Sequence, residues 1–181
     1  MAFLVAQYCA TKSLSLVVCG KRGQSDSDEQ KFFASSINSF PWSYEPKNSV
    51  HSTYERANSA QLIVAIDSAV GYEFLARGKR VAFMSGRTQA ADAVGLAQVR
   101  DTNFGYPLDL SPTGKFWTNQ ATSTELTRIL DYLQAVTDEE WATEIAPYNE
   151  SLMAYQPGNP VFKKLLLDLG LTLIDGVKSD A

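Results

Sequence analysis

Histidine and cysteine are the scarcest chemistry-bearing residues of this chain, which has one histidine, His51, and two cysteines, Cys9 and Cys19, in 181 residues. Two thiols in apolar surroundings, without metal-ligand spacing, make a poor disulfide framework and no zinc site, so both read as buried thiols. His51 stands beside Ser52 with no Gly-x-Ser-x-Gly anywhere in the chain, which removes the usual serine-hydrolase elbow and leaves a surface or capping role. Neither a Gly-x-Gly-x-x-Gly fingerprint nor a P-loop is present, so a dinucleotide dehydrogenase and an NTPase are unsupported. No segment approaches the roughly 18 uninterrupted apolar residues of a membrane span. There is also no basic block: 16 Lys and Arg stand against 20 Asp and Glu, and a net charge of −4 without basic-aromatic alternation excludes nucleic acid as an expected partner.

What is present is an ordinary globular composition, 45% hydrophobic and 20% charged, of a length that suits one good core. The reading is one domain over 1–146, followed by a linker and C-terminal helix over 147–181. The apolar start, Met1 to Tyr8, has no basic n-region and does not read as a signal peptide, so the cytoplasm is the expected compartment, with the inner face of the plasma membrane reached through a partner. It looks like a buried helix with no capping residue ahead of it, and a preceding half is therefore expected to be missing.

Along the chain, 2–10 reads as a short helix and Leu14 to Cys19 as a buried parallel strand ended by Gly20. A short helix follows Asp26-Ser27-Asp28-Glu29 and ends near Asn38. Trp42 to Glu45 alternates like a strand, and Ser52 to Ala60 reads as a helix capped by Ser52 or Thr53. The clearest unit comes next: a buried strand at Gln61 to Ile66, a cap at Asp67-Ser68, a helix from Gly71 to Ala76, a stop at Arg77-Gly78-Lys79, and a strand from Arg80 to Met84. Strand, helix and strand in about 25 residues is a βαβ unit. Ser85 to Gly114 reads as mostly loop, with a short helix at 90–96. Thr122 or Ser123 caps a helix over Glu125 to Ala135 whose stripe is Leu126, Ile129, Leu130 and Leu133. Asp138 to Ile145 continues helical, Pro147 to Pro160 reads as a turn-rich linker, and Phe162 to Leu169 as a last helix ended by Gly170.

Two loops carry residues suited to an anionic ligand. Asp67, Ser68, Gly71 and Glu73 follow a buried strand and open a helix, where backbone N–H groups and a hydroxyl meet the positive helix end. Gly71 would let a ligand approach closely, and Glu73 could accept from a ribose diol. The competing reading is a plain cap with a solvated first-turn acid. Lys21 and Arg22 follow the other strong strand and would emerge at the same carboxyl edge of one parallel sheet, where open α/β folds bind ligands, so that both loops would face one crevice. The aromatics of 103–107 and 114–119 read first as plugs that fasten loops to the core, and second as stacking faces. The fold class expected is α/β, a three-layer sandwich of about five parallel strands.

The runs Tyr54-Glu55-Arg56-Ala57, Leu62 to Ser68 and Gly71 to Phe83, with Phe104-Gly105-Tyr106-Pro107 and Gly114 to Asn119, resemble bacterial surface-carbohydrate biosynthesis proteins. These are similar to the C-terminal, donor-binding half of GT-B glycosyltransferases, including the Kdo transferases. The resemblance implies a Rossmann-like GT-B half with a helical C-terminal tail. It implies a nucleotide-sugar donor, CMP-Kdo among the candidates, and a glycan acceptor of capsule, O-antigen or lipopolysaccharide. Ser68, Gly71 and Glu73 take the matching places for phosphate and ribose, with Lys21 and Arg22 as the basic pair. Ala69-Val70 departs from the family's Thr or Leu after the serine and removes a second hydroxyl. Leaving-phosphate charge in GT-B enzymes is commonly met by helix dipole and cations, so neither a metal nor another cofactor is implied. No catalytic residue can be assigned, because the base usually belongs to the other half. The alternatives are a nucleotide-sugar epimerase on the same scaffold and a non-catalytic binding module.

Overall fold

The computed structural model describes residues 1–23, 27–86, 104–105, 110–154 and 156–171. The short helix expected at 90–96 lies outside them, as does most of the loop between Ser85 and Gly114. Among the described residues the order is α1 (Ala2–Thr11), β1 (Val17–Cys19), α2 (Ser27–Ile37), β2 (Ser43–Glu45), α3 (Ser52–Ser59), β3 (Ile63–Ile66), α4 (Ala69–Ala76), β4 (Val81–Met84), β5 (Trp117–Thr118), α5 (Ser123–Ala135), α6 (Asp138–Tyr148), a π-helical turn (Asn149–Met153) and α7 (Pro160–Asp168). The chain is therefore mixed α/β, compatible with a Rossmann-like fold.

All five strands pair in parallel, as expected, but their hydrogen bonding forms two sheets instead of one: β1 with β2, and β3-β4-β5. The βαβ unit is present as β3-α4-β4. Its centre, β4, is buried at every residue, which is why Val81 to Met84 is an unbroken apolar run: a strand with neighbours on both sides and cover on both faces has no solvent side to mark with polar residues. Gly78 ends α4 with φ +80°, a left-handed cap position where glycine carries no Cβ penalty, and its N–H bonds to Leu75 O. Trp141 of α6 donates its indole N–H to Gly78 O at 3.0 Å, tying that same turn to the C-terminal helices.

The core is dominated by aromatic rings. Phe104 lies within 4.6–5.5 Å, centroid to centroid, of Tyr72, Phe83, Phe116, Trp117 and Tyr148. Each such pair adds about 0.5–1.5 kcal/mol beyond area burial. The aromatics at 104, 116 and 117 thus plug their segments onto the core, the first of the two roles the sequence allowed. The stripe Leu126, Ile129, Leu130 and Leu133 of α5 is buried throughout, and Thr122 caps the helix by accepting from Glu125 N.

Several element expectations are corrected. The strand expected from Leu14 begins only at Val17, because Leu14 N is used to close α1 on Cys9 O. His51, not Ser52 or Thr53, stands at the N-cap of α3, while Ser52 Oγ accepts from the N–H groups of Asn48 and Ser49 and tightens the preceding turn. Helix α6 runs past the expected end and through Pro147 to Tyr148, then widens into the π-helical turn, so the first part of the expected linker is helical. The capping box Thr137/Glu140 starts that helix firmly, and Pro147 lies in its last turn, where it removes the N–H that would bond to the Thr143 carbonyl. Beyond it, α7 has no buried residue.

Candidate functional site

Ile66, Met84 and Thr118 stand in register as the last residues of three parallel strands. The next residue on each strand is polar: Asp67, Ser85 and Asn119. Ser85 N–H donates to Thr118 O at 3.0 Å, so the ladder carries one step into this row. Ser85, Thr118 and Asn119 are only 6%, 2% and 6% exposed, and they are the buried polar residues of the described chain. Each of the three has a partner within the protein, as buried polar side chains require, and together they make this sheet edge polar. It is the carboxyl edge, the place where open α/β sheets take ligands.

The β3-to-α4 turn closes one side of this edge. Asp67 has φ +49°, a left-handed conformation that Asp tolerates better than most residues, and Ser68 is the extended N-cap of α4. Ser68 makes no side-chain capping bond and is exposed, so its hydroxyl is not spent on the helix start. Gly71 is buried against the sheet: a Cβ there would lie 2.5 Å from Ala65 Cβ and 2.8 Å from the Phe83 ring. Its lack of a side chain lets α4 lie close on β3 and β4. Glu73 is half-buried and accepts from Tyr54 of α3 at 2.9 Å through Oε2, a bond that pushes the Tyr54 hydroxyl above its ordinary pKa. Arg77 covers the same Tyr54 ring at 5.7 Å.

The other side is braced from α5. Glu125 accepts from Arg128 Nη2 and Thr113 Oγ1, each at 2.8 Å, and Arg128 also donates to Gly114 O at 2.8 Å. The Arg128 guanidinium, then the Thr113 hydroxyl, hold the Glu125 carboxyl down at about 2, with Thr118 adding a further hydrogen bond. The segment that delivers Asn119 is thereby clamped from 113 to 118.

Lys21 and Arg22 lie elsewhere in the bonding pattern, in the turn after β1, at the carboxyl end of the β1–β2 pair where Cys19 stands opposite Glu45. The structure brings Asp67 and Ser68 together at one sheet edge, places Gly71 beneath their helix, and turns Glu73 towards α3. The turn bearing Lys21 and Arg22 closes the second sheet. Ser85 and Asn119 were not singled out from sequence. A polar residue directly after a buried apolar run, as in Met84-Ser85, is the available signal, but it is also how most strands end. His51 is exposed at the N-cap position of α3 and makes no side-chain capping bond, which leaves the surface role of the two expected.

An open groove of about 600 Å³ lies apart from these residues, lined by Lys115, Tyr132, Glu139, Glu140 and Glu144 among others. Among the described residues no group of three or more His, Cys, Asp or Glu is placed to hold a metal ion, and no helix is long and apolar enough to cross a membrane.

No curated protein and no solved structure matches the chain. A family model does: residues 1–169 match the family described as "putative O-antigen biosynthesis protein", and the chain belongs to that family of surface-polysaccharide biosynthesis proteins.

Proposed function

We propose that this chain is the nucleotide-sugar-binding half of a glycosyltransferase of surface polysaccharide biosynthesis, with the Rossmann-like three-layer architecture of a GT-B half. The observation that carries the reading is the row Asp67, Ser85 and Asn119 that directly follows the in-register strand ends Ile66, Met84 and Thr118, beside the opening of α4. Family membership supports the pathway, and the strand-end geometry supports the ligand class.

In this reading the donor phosphate sits at the start of α4, where the Ser68 hydroxyl and the first helical N–H groups point at it. Glu73 offers Oε1 to a ribose diol while Tyr54 fixes Oε2. Asn119 and Ser85 supply amide and hydroxyl groups to the base or sugar. Lys21 and Arg22, in the turn after β1, add positive charge. The acceptor and the catalytic base come from a second Rossmann-like half facing this one. CMP-Kdo is the donor to try first, and calorimetric titration with CMP, UMP and CMP-Kdo tests the reading. Micromolar to millimolar binding of a pyrimidine nucleotide sustains it, and no binding of any of the three with an intact fold overturns it.

A further inference from the structure

The turn after β1 already holds an anion, and that anion is the protein's own. The Lys21 N–H donates to both Glu29 carboxylate oxygens at 3.1 Å, the Arg22 N–H to Oε2 at 3.0 Å, and the Tyr44 hydroxyl to Oε2 at 2.8 Å. Gly20 leaves room for this arrangement, since a Cβ there would collide with the Tyr44 hydroxyl and crowd Glu29 Oε2. Burial pushes the Glu29 carboxyl up, but the Lys21 amide, the Tyr44 hydroxyl and the Arg22 amide outweigh it and hold the group below the usual carboxylate range. Three donors converging on one carboxylate, beside two exposed cationic residues, form a receptor for an oxyanion.

Glu29 is also free to leave without uncovering the core. It lies in the first turn of α2, where Asp28, Gln30, Lys31 and Phe32 are exposed, and the buried residue of that helix, Ile37, lies at its far end. A core brace would be expected to sit among buried neighbours. A carboxylate and a phosphate present the same kind of acceptor oxygen to N–H donors, and the phosphate brings more charge.

We propose that the Gly20–Arg22 turn is a diphosphate site and that Glu29 is its internal competitor: an incoming diphosphate takes over the Lys21 and Arg22 N–H groups and the Tyr44 hydroxyl, and the first turn of α2 swings away. The inference rests on the nucleotide-sugar reading only for the source of the diphosphate, which is then a nucleoside-diphosphate sugar, because CMP-Kdo carries a single phosphate. A ligand that must displace an occupant binds with an apparent affinity reduced by the fraction of molecules in which the site is open.

Titration of the whole chain with pyrophosphate tests this directly. Glu29→Gln and Glu29→Ala should each tighten pyrophosphate binding by roughly tenfold, whereas Asp28→Asn, which removes a charge one residue away, should change it less than about twofold. In the unmodified chain, saturating pyrophosphate should shift the Lys21 and Arg22 amide resonances and return the Glu29 carboxyl to the titration of a solvent-exposed acid, a reading that needs no variant. Equal or weaker binding by both Glu29 variants with melting curves intact, or amide shifts confined to other residues, overturns the proposal and leaves Glu29 a brace. A parallel arm with CMP separates the two readings. Pyrophosphate tightened with CMP silent keeps the anion site and removes the nucleotide, while CMP bound with pyrophosphate indifferent to Glu29 does the opposite.

Discussion

The Cβ that Gly71 lacks would stand 2.5 Å from the Cβ of Ala65, so at this residue helix α4 lies on strand β3 through its backbone. The same missing atom would meet the Phe83 ring at 2.8 Å. Neither neighbour is the loose end of a flexible chain, since one is a strand Cβ and the other a ring packed among Tyr72, Phe104 and Phe116. Gly71→Ala gains roughly 1 kcal/mol of helix propensity. It also forces overpacking that costs about 1–3 kcal/mol. The net effect expected is a loss of stability, measured as a lower midpoint in urea with an unchanged slope. A midpoint that rises would mean that α4 has slack against the sheet.

The βαβ unit was legible because every signal in it agreed: an apolar run too short for a helix, a Ser-type cap, an apolar helix, a glycine stop and a second apolar run. Strand β5 was not, since Trp117–Thr118 is a strand only by pairing with Phe83 and Met84, and two residues have no period to read. The split into two sheets was equally hidden. Parallel pairing is a long-range choice, and the apolar character of Val17 to Cys19 is the same whichever neighbour it takes. Pro147 misled for a local reason, because it reads as a helix breaker while the capping box at Thr137 and the burial of Trp141 and Ile145 outweigh it. At the candidate site Asp67 and Ser68 were visible as a cap. Ser85 and Asn119 gain meaning only when β4 and β5 lie side by side, and Glu29 only when α2 folds back on the turn after β1.

Ligand binding should depend on the strand-end row and the α4 opening and be indifferent to the histidine. Asn119→Ala, and separately Ser68→Ala with Glu73→Ala, should each weaken nucleotide binding by roughly 1–3 kcal/mol, the range for losing hydrogen bonds to a charged or polar group. His51→Ala should leave it unchanged. Calorimetry on the variants, each first checked by thermal melting because Asn119 is buried, reads the order directly. The reverse order would take this edge out of consideration.

Acid should loosen the clamp that delivers Asn119. Glu125 has a folded-state pKa of about 2, depressed first by Arg128 and then by Thr113. Its unfolded value lies near 4.3 to 4.5, roughly. A depressed carboxylate stabilises the fold fully above the unfolded value and loses that contribution as pH falls from there through about 2. Its side chain is 19% exposed but Arg128 is 40% exposed. Solvent screening therefore brings the contribution down to about 1 kcal/mol. Urea midpoints between pH 7 and pH 2 should fall across that window, and Glu125→Gln should flatten the part of the decline that belongs to this residue. An unaltered profile in the variant would assign acid sensitivity to other carboxylates.

The C-terminal helix should contribute little to the stability of the rest. Val161, Phe162, Leu165, Leu167 and Leu169 are all more than half exposed, so ending the chain before Pro160 removes a helix whose described side chains bury little. The melting temperature should stay within a few degrees, about the effect of ±0.5 kcal/mol on a domain of this size. A larger drop in dilute solution would show that α7 packs on the body.

Sugar transfer is the sharpest test of the proposed half-enzyme: the 181-residue chain should bind a cytidine or uridine nucleotide and transfer no sugar. An acceptor must be held about 3–3.5 Å from the anomeric carbon, in line for attack. The groups at the strand ends and the α4 opening are the Asp67 carboxylate, the Ser68 and Ser85 hydroxyls and the Asn119 amide, with the Glu73 carboxylate farther along the helix already bonded to Tyr54, and they suit holding a donor from one side. A one-sided crevice buries less of its ligand than the roughly 70 to 90% typical of closed sites, so affinity should be modest as well. Supplying a facing Rossmann-like half, in cis or as a second polypeptide, should raise both affinity and turnover together. Incubating donor with and without a glycan acceptor also separates the proposal from an epimerase, which would change the donor with no acceptor present. Transfer by the chain alone would require a general base among its own residues, to be sought first between Ser85 and Asn119.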